Sequence, residues 1–170
     1  TVKDCMTQAL ADFTVRTTML ENRFLYGAPA LHEEFTAEFK KQVMRGTARE
    51  FVGAKLSERD ERHIRAGQSR YLVEPNIKES KGGLRDLNTL FWIARYCYQI
   101  DGLEELIKLK ILTADELRLF RKCDAFLWEV RCHLHFLTGR AEERLSFDVQ
   151  KSLATRFNTT GSAGMKSVEK

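Results

Sequence analysis

Pro29-Ala-Leu-His-Glu-Glu-Phe-Thr-Ala-Glu-Phe-Lys-Lys-Gln-Val-Met-Arg-Gly46 is the stretch that decides the fold class. Leu31, Phe35, Phe39 and Val43 recur every fourth residue, which lays them along one helix face, with proline at the first helical position and glycine where the helix must stop. Helical spacing continues outward in both directions. Upstream, Asp12 stands as an N-cap before Phe13, Leu20 and Phe24, and Gly27 as the stop. Downstream, Thr47-x-x-Glu50 reads as a capping box opening a charged helix that carries Phe51, Val52, Leu56 and Ile64 to about Ala66. Leu87, Phe91, Ala94 and Tyr98 form the next stripe, and Leu103, Leu106 and Ile107 follow Asp101-Gly102 in a short helix. Thr113-x-x-Glu116 opens the longest helix, whose apolar face runs Phe120, Cys123, Leu127, Val130, Leu134, Leu137, and Ser146 caps a last helix with Val149, Leu153 and Phe157. The expected fold is all-α, an antiparallel helical bundle with at most one short strand or hairpin near 70–77, where Tyr71-Leu72-Val73 has strand composition.

Composition narrows the function classes. With 43% apolar and 31% charged residues, two prolines and ten glycines, 170 residues can bury a core of their own, which excludes a disordered or collagen-like chain. The 28 basic and 24 acidic residues are interleaved, and a net charge of +4 so dispersed implies no nucleic-acid partner. The longest apolar run, at Leu90 to Ile93, falls far short of the ~20 residues that span a membrane. Cys5, Cys97, Cys123 and Cys132 are widely spaced, without a C-x-x-C pair or a visible secretory leader, so reduced thiols and a cytoplasmic location are expected. The first residue is Thr1 and not methionine, and the chain reads as a segment of something longer.

Polar chemistry concentrates in Glu74-Pro-Asn-Ile-Lys-Glu-Ser-Lys-Gly-Gly-Leu-Arg-Asp-Leu87, where the backbone leaves regular structure and re-enters a helix. Such a segment suits an anion: Gly82 and Gly83 permit close approach, the amides of the new helix point outward, and Lys78, Lys81 and Arg85 can donate, so these five residues are the candidate nucleotide or phosphate site. An alternative stays open beside it, in which Asp86 stabilises the first helical turn and Arg85 pairs with Glu79.

That segment, continued by Asn88-Thr-Leu-Phe-Trp-Ile-Ala94, resembles the central part of the bifunctional protein-PII uridylyltransferase/uridylyl-removing enzymes of bacterial nitrogen control. Phe126-Leu-Trp-Glu-Val-Arg-Cys-His-Leu-His-Phe-Leu-Thr-Gly-Arg-Ala-Glu-Glu-Arg-Leu-Ser-Phe-Asp-Val-Gln150 and Thr14-Val-Arg-Thr-Thr-Met-Leu-Glu-Asn-Arg-Phe-Leu-Tyr-Gly27 resemble the same family, and Lys78 to Leu87 is more weakly similar to the glutamine synthetase adenylyltransferases. The resemblance implies a parent with an N-terminal polymerase-β-type nucleotidyltransferase using UTP and Mg²⁺, this helical region, a metal-dependent HD phosphohydrolase and glutamine-sensing ACT domains. It implies the PII protein and the neighbouring domains as partners. Residues 1–27 would then form the junction with the transferase, 28–157 the bundle, and 158–170 a linker. The chain has no Asp-x-Asp pair for two magnesium ions and no His-Asp step for the hydrolase, so no catalytic residue, no metal site and no cofactor is expected within it. Nucleotide or PII positioning is the expected role, with PII docking or relay of the glutamine signal as the alternative.

Two further groups draw attention. Arg121, Asp124, Trp128, Arg131 and His135 share one helical stripe and, with Arg16 and Arg23, are candidates for an interdomain or partner face; a solvated surface or an ion pair is the competing reading. Cys132-His133-Leu134-His135 cannot converge on one metal from a helix, since neighbours diverge by about 100°. The run Glu58-Arg59-Asp60-Glu61-Arg62-His63 is expected to be wet surface.

Overall fold

A computed structural model of the chain describes residues 1–67 and 72–157. Its elements are α1 (Val2–Ala11), α2 (Phe13–Leu20), α3 (Pro29–Glu38), a π-helix (Phe39–Met44), α4 (Ala48–Arg65), α5 (Leu84–Tyr98), α6 (Glu104–Lys108), α7 (Ala114–Thr138) and α8 (Phe147–Arg156). The all-α class is as expected. Among the described residues there is no strand, only an isolated antiparallel bridge between Asn76 and Arg144. Tyr71 and the 158–170 linker lie outside the described residues, while Leu72 and Val73 form no strand.

The chain condenses as two compact units, each assembled from two stretches: Thr1–Arg59 with Thr89–Thr113, and Asp60–Asn88 with the chain from Ala114. In unit 1, Asp12 breaks α1 from α2 and caps the latter, its carboxylate accepting from the Thr14 and Val15 amides. Those two bonds hold its pKa below the ordinary carboxylate value. Contrary to expectation, α2 ends at Leu20, well before Gly27. Asn22 Nδ2 donates to the Met19 carbonyl at 2.7 Å, and Trp92 Nε1 donates to Glu21 at 2.7 Å, so both residues after the helix are drawn into other bonds and Phe24 is left exposed.

The four-residue repeat from Leu31 also has an outcome its periodicity did not specify. An α-helix turns about 400° in four residues, so such a stripe drifts around the axis. The π-turn is wider than an α-turn and keeps Phe39 and Val43 both buried, while Leu31 at the α-helical end is exposed. Thr47 does not close a capping box with its side chain: the hydroxyl bonds back to the Val43 carbonyl and lies 2.7 Å from the Tyr96 hydroxyl. The core joins Met6, Ala9, Leu20, Phe39, Val43, Met44, Phe51, Trp92 and Tyr96, with the rings of Phe51 and Tyr96 stacked at 3.9 Å. Residues 1–27 therefore supply part of this core.

Unit 2 has an aliphatic core of Ile77, Leu84, Val130, Leu134 and Leu153, flanked by Leu127, Leu137, Leu145, Val149 and Phe157. The apolar face predicted for α7 holds over its second half. In the first half Cys123 is exposed, as are Leu119 and Phe126.

Candidate functional site

The segment 74–86 is a tightly bonded loop, and Asn76 organises it. Its side-chain oxygen accepts from the amides of Lys78 (3.0 Å) and Glu79 (2.7 Å), its own amide donates to the Ser80 hydroxyl, and its carbonyl accepts from the Ser80 amide. The chain then folds back so that Gly83, Leu84 and Arg85 donate to the carbonyls of Ser80, Ile77 and Lys78. Gly82 adopts φ +82°, the left-handed region that glycine occupies without strain. At Gly83 a Cβ would lie 2.7 Å from the Ile77 oxygen, 2.9 Å from that of Ser80 and 3.0 Å from that of Lys78. The two glycines thus admit the loop's own carbonyls to close range.

The amides at the start of α5 are likewise used internally. Gly82 N–H donates to Asp86 Oδ2 at 2.7 Å. Asp86 also accepts from Arg62 Nη2 and from His63, whose Nε2 lies 3.0 Å from both carboxylate oxygens and therefore carries the proton. Burial pushes the Asp86 pKa upward, but the Gly82 amide, His63 and Arg62 together outweigh it, and the carboxyl titrates below its ordinary value. Glu79 is the second internal anion: Arg62 Nε and Lys78 Nζ each lie 3.7 Å from it and Arg85 Nη2 3.6 Å. Lys81 is exposed. The pairs Asp86 with the first helical turn and Arg85 with Glu79, weighed from sequence as the alternative to an anion cradle, are both formed.

Arg62 and His63 were not anticipated. They belong to the charged run expected to be wet, yet Arg62 is only 8% exposed. The available signal was its spacing: Phe51, Lys55 and Arg62 fall four and seven residues apart on one side of α4.

Two residues of the α7 stripe, Arg131 and His135, converge on Glu143, which the sequence pattern did not single out. Glu143 receives a forked contact from Arg131, with Nε at 3.0 and 2.9 Å from its two oxygens and Nη2 at 2.6 Å, which raises the Arg131 pKa. The Arg131 guanidinium stacks on Trp128 at 5.0 Å, and His135 Nε2 stands 3.7 Å from Glu143. Trp128 remains 43% exposed. The Glu143 carbonyl accepts from the Ile77 amide at 2.8 Å, so this face and the glycine loop share one residue. Asp124, on the same helix, has its pKa raised by burial, and Arg121 is exposed.

Arg16 is not on an outer face of unit 1. It is 1% exposed, its Nε and Nη2 donate to the Ala9 and Leu10 carbonyls at 2.7 and 3.0 Å, and its guanidinium covers the Phe13 ring at 4.4 Å. It closes the C-terminal end of α1. Arg23 is exposed. Among the described residues no three His, Cys, Asp or Glu side chains come together to hold a metal, and no helix is long and apolar enough to cross a membrane.

The family described as GlnD PII-uridylyltransferase matches residues 50–170. The chain is 57% identical over 169 residues to a bifunctional uridylyltransferase/uridylyl-removing enzyme of Nitrobacter winogradskyi, 55% to that of Rhodopseudomonas palustris and 50% to that of Azospirillum brasilense. In each case the match takes in 99% of this chain and 18% of the relative, so the chain spans about a fifth of the length of these curated relatives. No solved structure matches it.

Proposed function

The chain belongs to the GlnD PII-uridylyltransferase family, and on that premise we propose that it serves uridylyl transfer within a longer enzyme by positioning a phosphate-bearing substrate, supplying no bond-making group itself. The observation that supports this is the charge balance of a self-locked loop. Arg62, Lys78 and Arg85 face Glu79 and Asp86, Glu74 is taken by Arg144, and Lys81 adds a further exposed cation. The surplus is positive, and the loop's internal hydrogen bonds remove most of the ordering cost that an anion would otherwise impose on it. Lys78 lies beyond hydrogen-bond range of Glu79, so its ammonium can turn toward a polyphosphate without breaking a bond. With the Gly82 and Gly83 amides engaged, contact falls to the side chains of Lys78, Lys81 and Arg85 and not to a backbone cradle. UTP is the substrate this role implies. Mg²⁺, which would accompany it, finds no carboxylate pair here, because Asp86 and Glu79 face cations.

The experiment is steady-state kinetics of a full-length enzyme carrying this segment. Lys78→Ala with Lys81→Ala, and separately Arg85→Ala, should raise KM for UTP or lower kcat of transfer by about tenfold, the worth of one charged hydrogen bond, and leave uridylyl removal unchanged. Transfer kinetics identical to the wild type in both variants would refute the reading.

A second reading, docking of the PII protein or relay of the glutamine signal, is favoured by the Trp128–Arg131 stack, since a half-exposed aromatic ring beside an ordered guanidinium has the composition of an interface anchor. Titration of the enzyme with PII separates the two: affinity lost in Trp128→Ala and retained in the lysine variant supports docking.

A further inference from the structure

Unit 1 holds a cleft that the loop and the α7 face do not use, walled by α3, the π-helix and the C-terminal end of α5. Its floor is apolar, with Leu20, Phe39, Met44 and Ile100 all buried. Two half-buried cations, Lys40 and Arg95, line it, and neither makes a hydrogen bond or ion pair with a described residue. Lys40 acts on Glu105 only through space, and Asp101 is an exposed carboxylate among the lining residues. Other sheltered cations among the described residues do have partners: Arg62 has Asp86, Arg131 has Glu143, Lys55 has Glu58, and Arg16 has the Ala9 and Leu10 carbonyls. A partly desolvated cation that no carboxylate bonds is unfavourable, and two of them in one concavity mark a place where a ligand can bring a bonded counter-charge.

The neighbouring polar groups fit the same account. Several helical threonines bond to the carbonyl four residues back, among them Thr17, Thr18, Thr138 and Thr155. Thr36 does not: its hydroxyl is sealed from solvent with no partner. Asn22 Nδ2 donates to Met19, so its oxygen must accept, which places a proton on the His32 Nε2 that lies 2.8 Å away and fixes that ring in the wall. Backbone irregularity borders the cleft on two sides. Lys40 sits in the widened π-turn, and Gln99, at the end of α5, has φ 51°.

We infer that this cleft binds a small oxyanion, carboxylate or phosphate, borne on a short aliphatic body. Lys40 and Arg95 grip the oxyanion from opposite walls of the cleft, the apolar body lies on Leu20 and Met44, and the Thr36 hydroxyl reaches the ligand by turning about its side-chain bond. The inference draws on unit 1 alone and does not depend on the role of the glycine loop.

The test is a chemical-shift titration of the isotopically labelled 170-residue chain with inorganic phosphate, hexanoate and hexanol in turn. Saturable shifts at the amides of Thr36, Lys40, Arg95 and Ile100 are expected with an anionic probe and not with hexanol. Tighter binding of hexanoate assigns the site to a carboxylate on an aliphatic chain; saturation by phosphate alone assigns it to a phosphate. Lys40→Gln and Arg95→Gln, which keep most of each side-chain stem, should each weaken binding about tenfold, whereas Lys41→Gln, at an exposed side chain, should leave it unchanged. The inference is overturned if neither anion saturates, if hexanol binds as well as hexanoate, or if both glutamine variants bind like the wild type. The hexanoate and hexanol comparison uses the unaltered protein and so decides the matter even where a variant fails to fold.

Discussion

The two units handle buried charge in opposite ways. In unit 1, Arg16 is set against helix-end carbonyls and the Phe13 ring with the Glu50 carboxylate no nearer than 4.0 Å, and Lys55, 2% exposed, lies over the rings of Phe51 and Trp92 with a single carboxylate, Glu58, at its tip. Neutral dipoles and aromatic faces thus do much of the work of counter-ions, within an aromatic core. In unit 2 the core is aliphatic, and the charges meet titratable partners: Arg62 and His63 on Asp86, Arg131 on Glu143, Arg144 on Glu74. The difference teaches where solution conditions can act. Acid and salt reach carboxylate pairs far more readily than carbonyls and rings, so the buried cations of unit 2 respond to solution conditions more than those of unit 1.

The largest expected effect falls in unit 1. Phe51→Ala removes a fully buried ring stacked on Tyr96 and should cost about 4 kcal/mol in urea unfolding; a loss below about 1 kcal/mol would show that the aromatic stack is not the support assigned to it. Gly83→Ala should follow, at about 3 kcal/mol, because the added methyl meets three carbonyl oxygens that the loop's own hydrogen bonds hold in place. Hydrogen exchange should register that loss in 74–86 before it registers at Phe51. Asp86→Ala strips Arg62, His63 and the Gly82 amide of their common acceptor and should cost about 2 kcal/mol.

Acid provides a gentler version of the same change. The Asp86 pKa is depressed in the folded protein, so its contribution is complete above the ordinary carboxylate value and is lost as pH falls through the lower, folded one. Exchange in 74–86 should therefore accelerate below about pH 4 relative to exchange at Phe51, and equal acceleration of both would erase the contrast between the units. Smallest of all is Asp115→Ala, which breaks a pair exposed on both sides and should shift stability by less than about 0.5 kcal/mol.

Helix starts were readable where turn residues and apolar spacing agree: Asp12, Pro29 and Ser146 stand at them, although the Ser146 hydroxyl makes no capping bond. What could not be read is what side chains do across the chain. Trp92 reaches Glu21 and Tyr96 reaches Val43 over separations of 71 and 53 residues, and no local pattern encodes either contact. The candidate loop was visible as a composition, with glycines and cations where a helix restarts. Its internal neutralisation was not, because Arg62 and His63 approach from α4, in a run whose charge density looks like solvent-facing surface. The inward turn of Arg16 was hidden for a related reason: an arginine adjoining a helix break can face outward or turn back onto the preceding carbonyls, and its sequence neighbours are the same in both cases.

Phe51 has a consequence for how this polypeptide emerges during synthesis. Its stacking partner Tyr96 is made 45 residues later, a delay of several seconds at about 5–20 residues per second. Until then a large aromatic ring waits without its cover, and a nascent chain halted anywhere between α4 and α5 presents that ring to whatever attends the ribosome exit. Neither unit is continuous in sequence, so no early release point yields a finished half.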